Sequence, residues 1–298
     1  MTSERIIKQV TIELLKDAET ILPKDIKEAL KKAYDVENDP IPKMQLRNIL
    51  ENIELAENTS LPMCQDTGIH IFYVTLGEGL GKTSVLNIKK AIREGVKEAT
   101  KQVPLRPNAV HPITRENPGD NTGLKIPYIN YRFSNQDYLE IAVMPKGAGS
   151  ENMSTLTMLT PSQGLKGIKD FVLNTMINAG GKPCPPTIIG MGIGGSADIS
   201  MKLAKEALLR PINISNSDPQ IAGLENELQE AVNSLGIGPM GLGGKTTVLG
   251  VNIEYAYCHT ASLPVAINLQ CWAARKALAR LHNDGSIEYI SHPKEGKA

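Results

Sequence analysis

The first part of the chain alternates between apolar and charged positions with the period of an α-helix. Apolar residues recur at four-residue intervals with charged side chains between them: Ile6, Val10, Leu14 and Ala18. The segments DIKEALKKAYDVEN and PKMQLRNILENIELAEN repeat this spacing. Because such spacing places the apolar side chains on one face, residues 3–57 are predicted to form helices, and a helical lobe is expected at about residues 1–60.

Shorter apolar runs replace the helical period beyond residue 68. Strands are predicted in IHIFYVTLGEG (69–79), TIIG (187–190) and TTVLGVNIEYAYC, and a β-hairpin is predicted in YINYRFSNQDYLEIAVMPK. Helices are predicted at 87–102, in a segment that ends at Ala179, at 197–210, at 218–235 and from near Cys271 onward. These elements predict a mixed α/β fold of the α+β class, in which β-sheets flanked by helices follow the helical lobe within a single domain, residues 1–298.

The charge balance of the chain argues against two classes of partner. The 298 residues contain 32 Lys and Arg against 32 Asp and Glu, so the basic surplus that marks a nucleic-acid or anionic-membrane binder is missing. The N-terminal segment is charged throughout, and no apolar run reaches the roughly 18 residues that a spanning helix needs. We therefore expect a cytoplasmic protein that binds neither nucleic acid nor membranes and acts on a small molecule.

Polar and glycine residues cluster in five loops, each where a strand or helix is predicted to end. The loops are LPMCQDTG (61–68), MPKGAGSENM (144–153), KPCPP (182–186), GMGIGGSAD (190–198), and GIGPMGLGGKTT leading to YCHTASLP (236–264). Glycine permits the positive φ angles that point successive backbone amides toward an anion. Several such loops in one chain indicate a carboxylate or phosphate ligand.

Two of these loops imitate nucleotide-binding motifs. Gly190, Gly192 and Gly195 fit G-x-G-x-x-G between a short strand and a helix. The ribose-binding acid should end the next strand, at PINISNS, but no Asp or Glu occurs there until Asp218, in a Ser/Asn/Pro turn. In GPMGLGGKTT, one residue too many separates the first glycine from the last for a Walker A loop. A nucleotide-binding regulatory protein stays as the alternative from a different class.

The four cysteines are too few and too scattered for a disulfide framework. Prolines flank Cys184, and Cys271 is predicted to open a helix. Proline-fixed loops hold a sulfur in one position, and a helix N-terminus favours a thiolate, so Cys64, Cys184 and Cys271 are candidate metal ligands. Buried structural thiols and a zinc hydrolase are the alternatives, although no C-x-x-C pair signals zinc.

Five motifs occur in one order, each with its own spacing: PMCQDTG, KGAGSEN, GMGIGGS, GPMGLGGKTT and CHTASLPVAINLQCWAARK. Through them the chain, as far as about residue 282, resembles the alpha subunit of two-subunit class I fumarases and the related L-tartrate dehydratases. The resemblance implies a 4Fe-4S cluster bound by Cys64, Cys184 and Cys271, with Cys258 as a spare thiol. Three thiolates on four irons leave one iron able to act as a Lewis acid on the substrate.

The resemblance also implies which side chains meet the substrate. Gln65 and Asp66 would lie at the substrate, and Asp66 would support a threonine base. His259 would donate to a substrate carboxylate, and Arg106 in PLRPNAV would be the substrate arginine. Taken alone, Asp66 could equally be a helix or turn cap.

Two loops would face the substrate or the cluster with their backbone amides. They are the loop of Lys146, Gly147 and Gly149 and the loop of Gly194 and Gly195. Taken alone, these glycines are ordinary turn residues. Lys245 could counter a carboxylate or the cluster, or it could be a solvated loop end.

The implied reaction is the reversible hydration of fumarate to (S)-malate. The alternatives are an L-tartrate dehydratase alpha subunit, which would convert tartrate to oxaloacetate, and an enzyme for a methylated acid such as mesaconate. Single-chain class I fumarases carry a further domain that completes their site, whereas this chain ends at Ala298. We therefore expect a separate beta subunit, no activity without it, and a heterotetramer of two alpha and two beta subunits. An exposed iron is lost to oxygen, so the enzyme is expected to be oxygen-sensitive.

Overall fold

A computed structural model describes residues 4–78 and 85–293 of the chain. These residues form two compact units, each built from more than one stretch of sequence. Unit 1 takes its residues from Met1–Pro23, Asn52–Gly147 and Arg275–Ala298, and unit 2 takes its residues from Lys24–Glu51 and Ala148–Ala274. None of the helices in the described ranges is both long enough and apolar enough to cross a membrane.

Three helices open the described chain, four strands close it, and helices and strands are interspersed between them. The helices are α1 (Glu4–Thr20), α2 (Lys24–Val36), α3 (Pro40–Thr59), α4 (Val85–Gln102), α5 (Ala148–Glu151), α6 (Gly164–Ala179), α7 (Ala197–Ala207) and α8 (Pro219–Asn233). The strands are β1 (Ile69–Leu76), β2 (Tyr128–Phe133), β3 (Tyr138–Lys146), β4 (Thr155–Leu159), β5 (Thr187–Gly194), β6 (Val248–Ala256), β7 (Leu263–Gln270), β8 (Ala277–His282) and β9 (Ile287–Tyr289). Short 3₁₀ turns occupy Pro161–Gln163 and Pro239–Gly241.

Unit 1 contains a five-stranded mixed sheet that packs against two helices. Its strand order is β2-β1-β3-β8-β9, in which β1 and β2 run parallel and the other neighbours run antiparallel. Apolar side chains of α1 and α4, such as Ile7 and Ile88, form one core with side chains of the sheet. The helices approach closely at Gly95, where a Cβ would lie 2.6 Å from the Cβ of Thr11. Because β1 begins opposite the last residue of β3, the PMCQDTG segment and Gly147 lie at the same end of these two strands.

Unit 2 contains a four-stranded sheet of order β4-β7-β5-β6, in which β5 and β6 run parallel and β7 runs antiparallel to both of its neighbours. Ile189 of β5 belongs to the core that α6 and α8 form with this sheet. Helix α7 packs against β5 at very short range, because Gly190 and Gly192 have no side chain. A Cβ there would lie 2.2 Å from the Ala204 carbonyl oxygen and 1.9 Å from that of Ser200, respectively. These two glycines of the G-x-G-x-x-G pattern therefore serve helix–strand packing.

The predicted hairpin over residues 128–146 is wrong. β2 and β3 are strands as expected, but both pair with β1, which lies between them in the sheet. The chain runs from β1 through α4 to β2, and this helical crossover allows the two strands to lie parallel. Alternating hydrophobicity identifies a strand, but it does not identify the partner to which the strand pairs.

The predicted last helix near Cys271 is also wrong. Strand β8 follows instead, with Ala277, Ala279 and Leu281 buried in strict alternation with half-buried residues. The Ala- and Arg-rich sequence favours a helix locally, but pairing with β3 and β9 overrides that preference. Cys271 does not open a helix, so a helix dipole does not stabilise its thiolate.

The mixed α/β fold is confirmed, with helices and two mixed sheets in the described residues. Residues 4–59 are largely helical as predicted, but these helices do not form a lobe of their own. Helix α1 belongs to the core of unit 1, whereas Asp25 of α2 accepts a hydrogen bond from Ile212 N in unit 2 at 2.9 Å. Residue 79, the predicted end of the first strand, lies outside the described residues.

Candidate active site

The PMCQDTG segment of unit 1 is held in place between α3 and β1. Gly68 has a φ of +73°, and a Cβ there would lie 2.6 to 2.8 Å from backbone atoms of Lys146. Asp66 Oδ1 accepts hydrogen bonds from Gly68 N at 2.9 Å and from Asn108 Nδ2 at 3.3 Å. The half-buried Asp66 carboxylate therefore has one oxygen fixed by its own loop and by Asn108.

Arg106 lies on a loop that adjoins this segment. Its carbonyl oxygen accepts hydrogen bonds from Thr67 Oγ1 at 3.2 Å and from Asn121 Nδ2 at 3.1 Å. The side chains of Arg106 and Gln65 are exposed, whereas Cys64 is half-buried. Unit 1 thus brings four of the predicted site residues onto neighbouring loops: Cys64, Gln65, Asp66 and Arg106.

Lys146 and Gly147 adjoin the same segment at the end of β3. Lys146 pairs with Ile69 and is only 2% exposed, so its side chain does not lie on the surface. A Cβ at Gly147 would lie 3.1 Å from Asp66 Oδ2 and 3.4 Å from Arg275 Nη2. The lack of a side chain at Gly147 therefore keeps the space beside Oδ2 of Asp66 open.

A buried ion pair that the sequence did not predict lies next to these residues. Arg275 Nη1 donates to Glu19 Oε2 at 2.6 Å, and both side chains are almost fully buried. Burial raises the pKa of Glu19 to about 7, against the lowering effect of Arg275, and the negative charge of Asp66 adds to the rise. The sequence did contain a signal, because Glu19 follows Leu15 and Ile12 at helical spacing on the apolar face of α1.

In unit 2 the backbone holds Cys184 and Cys271 on adjoining segments. Trp272 N donates to the carbonyl oxygen of Cys184 at 3.2 Å. Cys184 has a φ of +55°, which is uncommon for a residue with a side chain, and it lies between Pro183 and Pro185. Both thiols are half-buried, and neither forms a disulfide.

Two further predicted loops pack against the KPCPP turn. Met240 N, in GPMGLGG, donates to the Pro185 carbonyl oxygen at 2.7 Å. A Cβ at Gly149, in KGAGSEN, would lie 3.2 Å from the carbonyl oxygen of Lys182. Unit 2 thus gathers three of the predicted glycine- and proline-rich loops beside Cys184.

His259 and Cys258 lie at the other end of this sheet. They follow β6, at the end of the sheet where β7 begins. Cys271 follows the last residue of β7, at the opposite end of the sheet. The eight residues of β7, at about 3.3 Å each, separate the two ends by more than roughly 20 Å. Both side chains are exposed, and His259 Nδ1 accepts a hydrogen bond from Ala261 N at 3.1 Å. Within unit 2 the structure therefore does not bring His259 together with Cys184 or Cys271.

The GMGIGGS loop lies at the same end of the sheet as His259. Gly194 has a φ of +85° and pairs with Ala256, and a Cβ there would lie 1.9 Å from the Ala256 carbonyl oxygen. Gly195 has a φ of +68°, and a Cβ there would lie 2.4 Å from Cγ2 of Ile199. Close approach of the chain explains both glycines.

The two alternatives from other classes gain no support from the described residues. Asp218, the acidic residue that follows the PINISNS segment, caps α8 by accepting a hydrogen bond from Gln220 N at 2.9 Å. Its second oxygen accepts from the Tyr255 hydroxyl at 3.0 Å. In residues 4–78 and 85–293, no group of three or more His, Cys, Asp or Glu side chains is arranged to hold a metal ion, and this applies to a zinc site and to the three candidate cysteines alike.

Lys245 is attached to the end of α2 within unit 2. Its backbone N donates to Glu37 Oε2 at 2.7 Å, and its Nζ donates to the Val36 carbonyl oxygen at 2.8 Å. Gly244 has a φ of +111°, and a Cβ there would lie 2.6 Å from Glu37 Oε2. The backbone N–H and the Nζ of Lys245 therefore hold the glycine-rich loop against α2.

We expect Glu37→Gln to lower stability near neutral pH and to lose this effect in acid. Burial favours the protonated form, but hydrogen bonds from the backbone of Lys245, Asp39 and Asn38 outweigh it and lower the pKa of Glu37. A lowered folded-state pKa adds stability above the unfolded value of about 4.3, and this stability is lost as the pH falls through the folded value. Urea unfolding of the two proteins should differ at about pH 7, and the difference should shrink progressively as the pH falls below about 4.3. An equal difference above and below this pH would contradict this role.

The family model for fumarate hydratase (Fumerase) matches residues 8–280. The chain belongs to this family. Its relatives include the putative L(+)-tartrate dehydratase subunit alpha of Methanocaldococcus jannaschii, which is 54% identical over 94% of this chain and 99% of the relative. L(+)-tartrate dehydratase subunits alpha of Escherichia coli strains UTI89 and K12 are 35% and 34% identical, over 92% of this chain and 90% of each relative. These findings confirm the resemblance and the prediction of a hydro-lyase.

Proposed function

We propose that this chain is the alpha subunit of an iron-sulfur hydro-lyase that adds water to fumarate to form (S)-malate and removes it again. The family match over residues 8–280 carries the proposal. Unit 1 supports it, because an arginine, an amide and a carboxylate lie on neighbouring loops: Arg106, Gln65 and Asp66. A small dicarboxylate offers charged oxygens for the arginine and polar atoms for the other two side chains.

Each of these three side chains has a proposed part in the reaction. Arg106 would bind a substrate carboxylate, since a guanidinium can donate two parallel hydrogen bonds to it. Gln65 would orient the substrate with its amide. Removing water from malate also requires loss of a poorly acidic proton from the carbon next to a carboxylate. Asp66 would support the base that takes this proton, and we propose that the base is a threonine of the beta subunit.

Substrate or cluster contacts of five further residues stay predictions: Lys146, Gly147, Gly149, Lys245 and His259. Lys146 is buried, and Lys245 holds its loop against α2. Gly149 lies beside the turn of Cys184, whereas His259 lies at the far end of β7. The proposed substrate contacts therefore involve mainly Asp66, Gln65 and Arg106.

The cysteines fit a 4Fe-4S cluster by the chemistry of their donor atoms. Thiolates are the usual ligands of such clusters, and Cys64, Cys184 and Cys271 are half-buried and outside disulfides. When bound through three thiolates, a cluster would supply a Lewis-acidic iron for the substrate hydroxyl. Cys258 is exposed and donates to the Ser262 carbonyl oxygen at 3.2 Å, so we leave it outside the ligand set.

A beta subunit is the proposed partner of this chain. The relatives of the chain carry the name subunit alpha, and a subunit alpha implies a second subunit. We propose that the two assemble as a heterotetramer of two alpha and two beta subunits, with an active site to which both contribute. An iron open to substrate is also open to oxygen, so we propose that the enzyme works in a reduced compartment such as the cytoplasm.

L-tartrate dehydration is the second candidate function, and the names of the relatives favour it. Tartrate differs from malate by one further hydroxyl. Discrimination of one such group can require only about 1 to 3 kcal/mol and can depend on one or two residues. Both candidates use the same residues of this chain.

Anaerobic co-purification of the chain with the beta subunit from the same organism tests the proposal. We expect the complex to convert fumarate and (S)-malate into each other, and the alpha chain alone to be inactive. Iron and sulfide analysis of the same sample should give about four of each per alpha chain. Turnover of L-tartrate alone would favour the second candidate. A complex that contains the full iron complement but acts on no dicarboxylate would overturn both.

A further inference from the structure

Arg275 lies close to two carboxylates within unit 1. Its Nη1 donates to Glu19 Oε2 at 2.6 Å, and its side chain is 1% exposed. Its Nη2 lies 3.4 Å from the point that a Cβ of residue 147 would occupy, and Asp66 Oδ2 lies 3.1 Å from the same point. The two atoms are therefore within about 6.5 Å of each other, the sum of those distances.

The charges of Arg275 and Asp66 both act on Glu19. Glu19 experiences the positive charge of Arg275 and the negative charge of Asp66, while burial raises its pKa to about 7. His70 of β1 adds no second positive charge near Arg275. Burial and the nearby Arg275 lower the pKa of His70 to about 3, so its ring is neutral, and its nitrogens have no hydrogen-bond partner among the described residues.

Glu19 also holds the segment that carries Asp66. Its carbonyl oxygen accepts a hydrogen bond from Met63 N at 2.9 Å, and Asn52 Nδ2 donates to the Met63 carbonyl oxygen at 2.8 Å. The same residue therefore fixes both the chain before Asp66 and the guanidinium of Arg275. Because a guanidinium is planar and rigid, holding Nη1 also fixes the direction of Nη2.

We propose that Arg275, anchored by Glu19, is a positioning residue that restrains Oδ2 of Asp66 and so holds this carboxylate in one orientation. The catalytic consequence rests on the proposed function, in which Asp66 supports the base. Gly68 N and Asn108 already hold the other oxygen. With Arg275 on the second oxygen, both are restrained, and rotation of the carboxylate is limited.

A double-mutant cycle tests the interaction without any substrate. Wild type, Asp66→Asn, Arg275→Lys and the double variant are compared by urea unfolding of the full chain. Lysine keeps the charge that faces Glu19 but lacks the planar fork that reaches a second carboxylate. Arg275→Lys changes the unfolding equilibrium constant by some factor in the wild-type background. We expect that factor to be at least about fivefold smaller in the Asp66→Asn background. Equal changes in both backgrounds overturn the proposal.

Turnover of the complex with its beta subunit tests what the interaction does. With rates divided by iron content, kcat of Arg275→Lys should fall at least about tenfold, because small misplacements at a reacting centre are costly. KM should change less than about twofold if substrate binding is intact. An unchanged kcat per iron would overturn the positioning role. Should the wild-type complex act on no dicarboxylate, the proposed function fails, and the unfolding cycle alone decides whether Arg275 holds Asp66.

Two further variants serve these measurements, one as a replacement for Arg275→Lys and one as its control. Glu19→Gln retains an oxygen that accepts from Arg275, so we expect a smaller fall in kcat, and it replaces Arg275→Lys in the cycle should that variant not fold. Arg280→Lys is the matched control, because Arg280 Nε donates to Glu140 Oε2 at 2.9 Å between β8 and β3 of the same unit. Its kcat per iron should equal that of the wild type. An equal fall in Arg280→Lys would show a general effect on unit 1 and would overturn the proposal.

Discussion

Gly192→Ala is expected to destabilise unit 2 by about 3 kcal/mol or more, at the upper end of the usual cost of overpacking. The added Cβ would lie 1.9 Å from the Ser200 carbonyl oxygen and 2.7 Å from Ala204 N. Both are backbone atoms of α7, so no flexible side chain can move aside, and the helix as a whole must shift from the sheet. Urea unfolding of the full chain, followed by circular dichroism, measures the loss.

Gly223→Ala is the matched control for this substitution. Gly223 lies inside α8 of the same unit, and a Cβ there would have no heavy atom within 4 Å. Alanine in a helix is favoured over glycine by roughly 0.5 to 1 kcal/mol, so this variant should be slightly more stable than the wild type. If the two variants had the same stability, close packing of α7 on β5 could not be the reason for Gly192.

Periodicity predicted the helices and strands whose conformation follows from their own sequence alone. Helix α1 is amphipathic, and β1 is an apolar run bounded by glycines, so both could be predicted from the sequence. Strand β7 was not predicted, because LPVAINLQ is buried along nearly its whole length and shows no alternation. The pairing of β2 with β1, and the extended form of ALARLH, depend on distant partners that local propensity does not identify.

The loops of the candidate site could be found from the sequence, but their neighbours could not. Asp66 and Gly147 lie in polar, glycine-rich motifs, whereas Arg275 meets Glu19 across 256 residues of sequence. His259 and Cys271 lie in one motif and are twelve positions apart, yet a full strand separates them in space. Closeness in sequence therefore suggested a shared site that the geometry of unit 2 does not show.

Cys271→Ser is expected to lose most of the iron that the reconstituted wild type binds, whereas Cys258→Ser should retain nearly all of it. A serine oxygen is a poor substitute for the soft thiolate that iron-sulfur clusters require. Cys271 lies beside Cys184 through the Trp272 hydrogen bond, while Cys258 lies across the length of β7 from both. Iron and sulfide analysis with visible absorption, after anaerobic reconstitution, compares the variants with the wild type.

The comparison of these two cysteines is informative because both substitutions are nearly isosteric and each thiol has a weak partner. Cys271 Sγ lies 3.6 Å from the Ala273 carbonyl oxygen, and Cys258 Sγ lies 3.2 Å from that of Ser262. Both variants should therefore unfold at nearly the wild-type urea concentration, so that a loss of iron reports ligation and not folding. Loss of iron from Cys258→Ser with retention in Cys271→Ser would move the third ligand to the other end of β7. Since Cys184 cannot follow it there, the proposed ligand set as a whole would then be wrong.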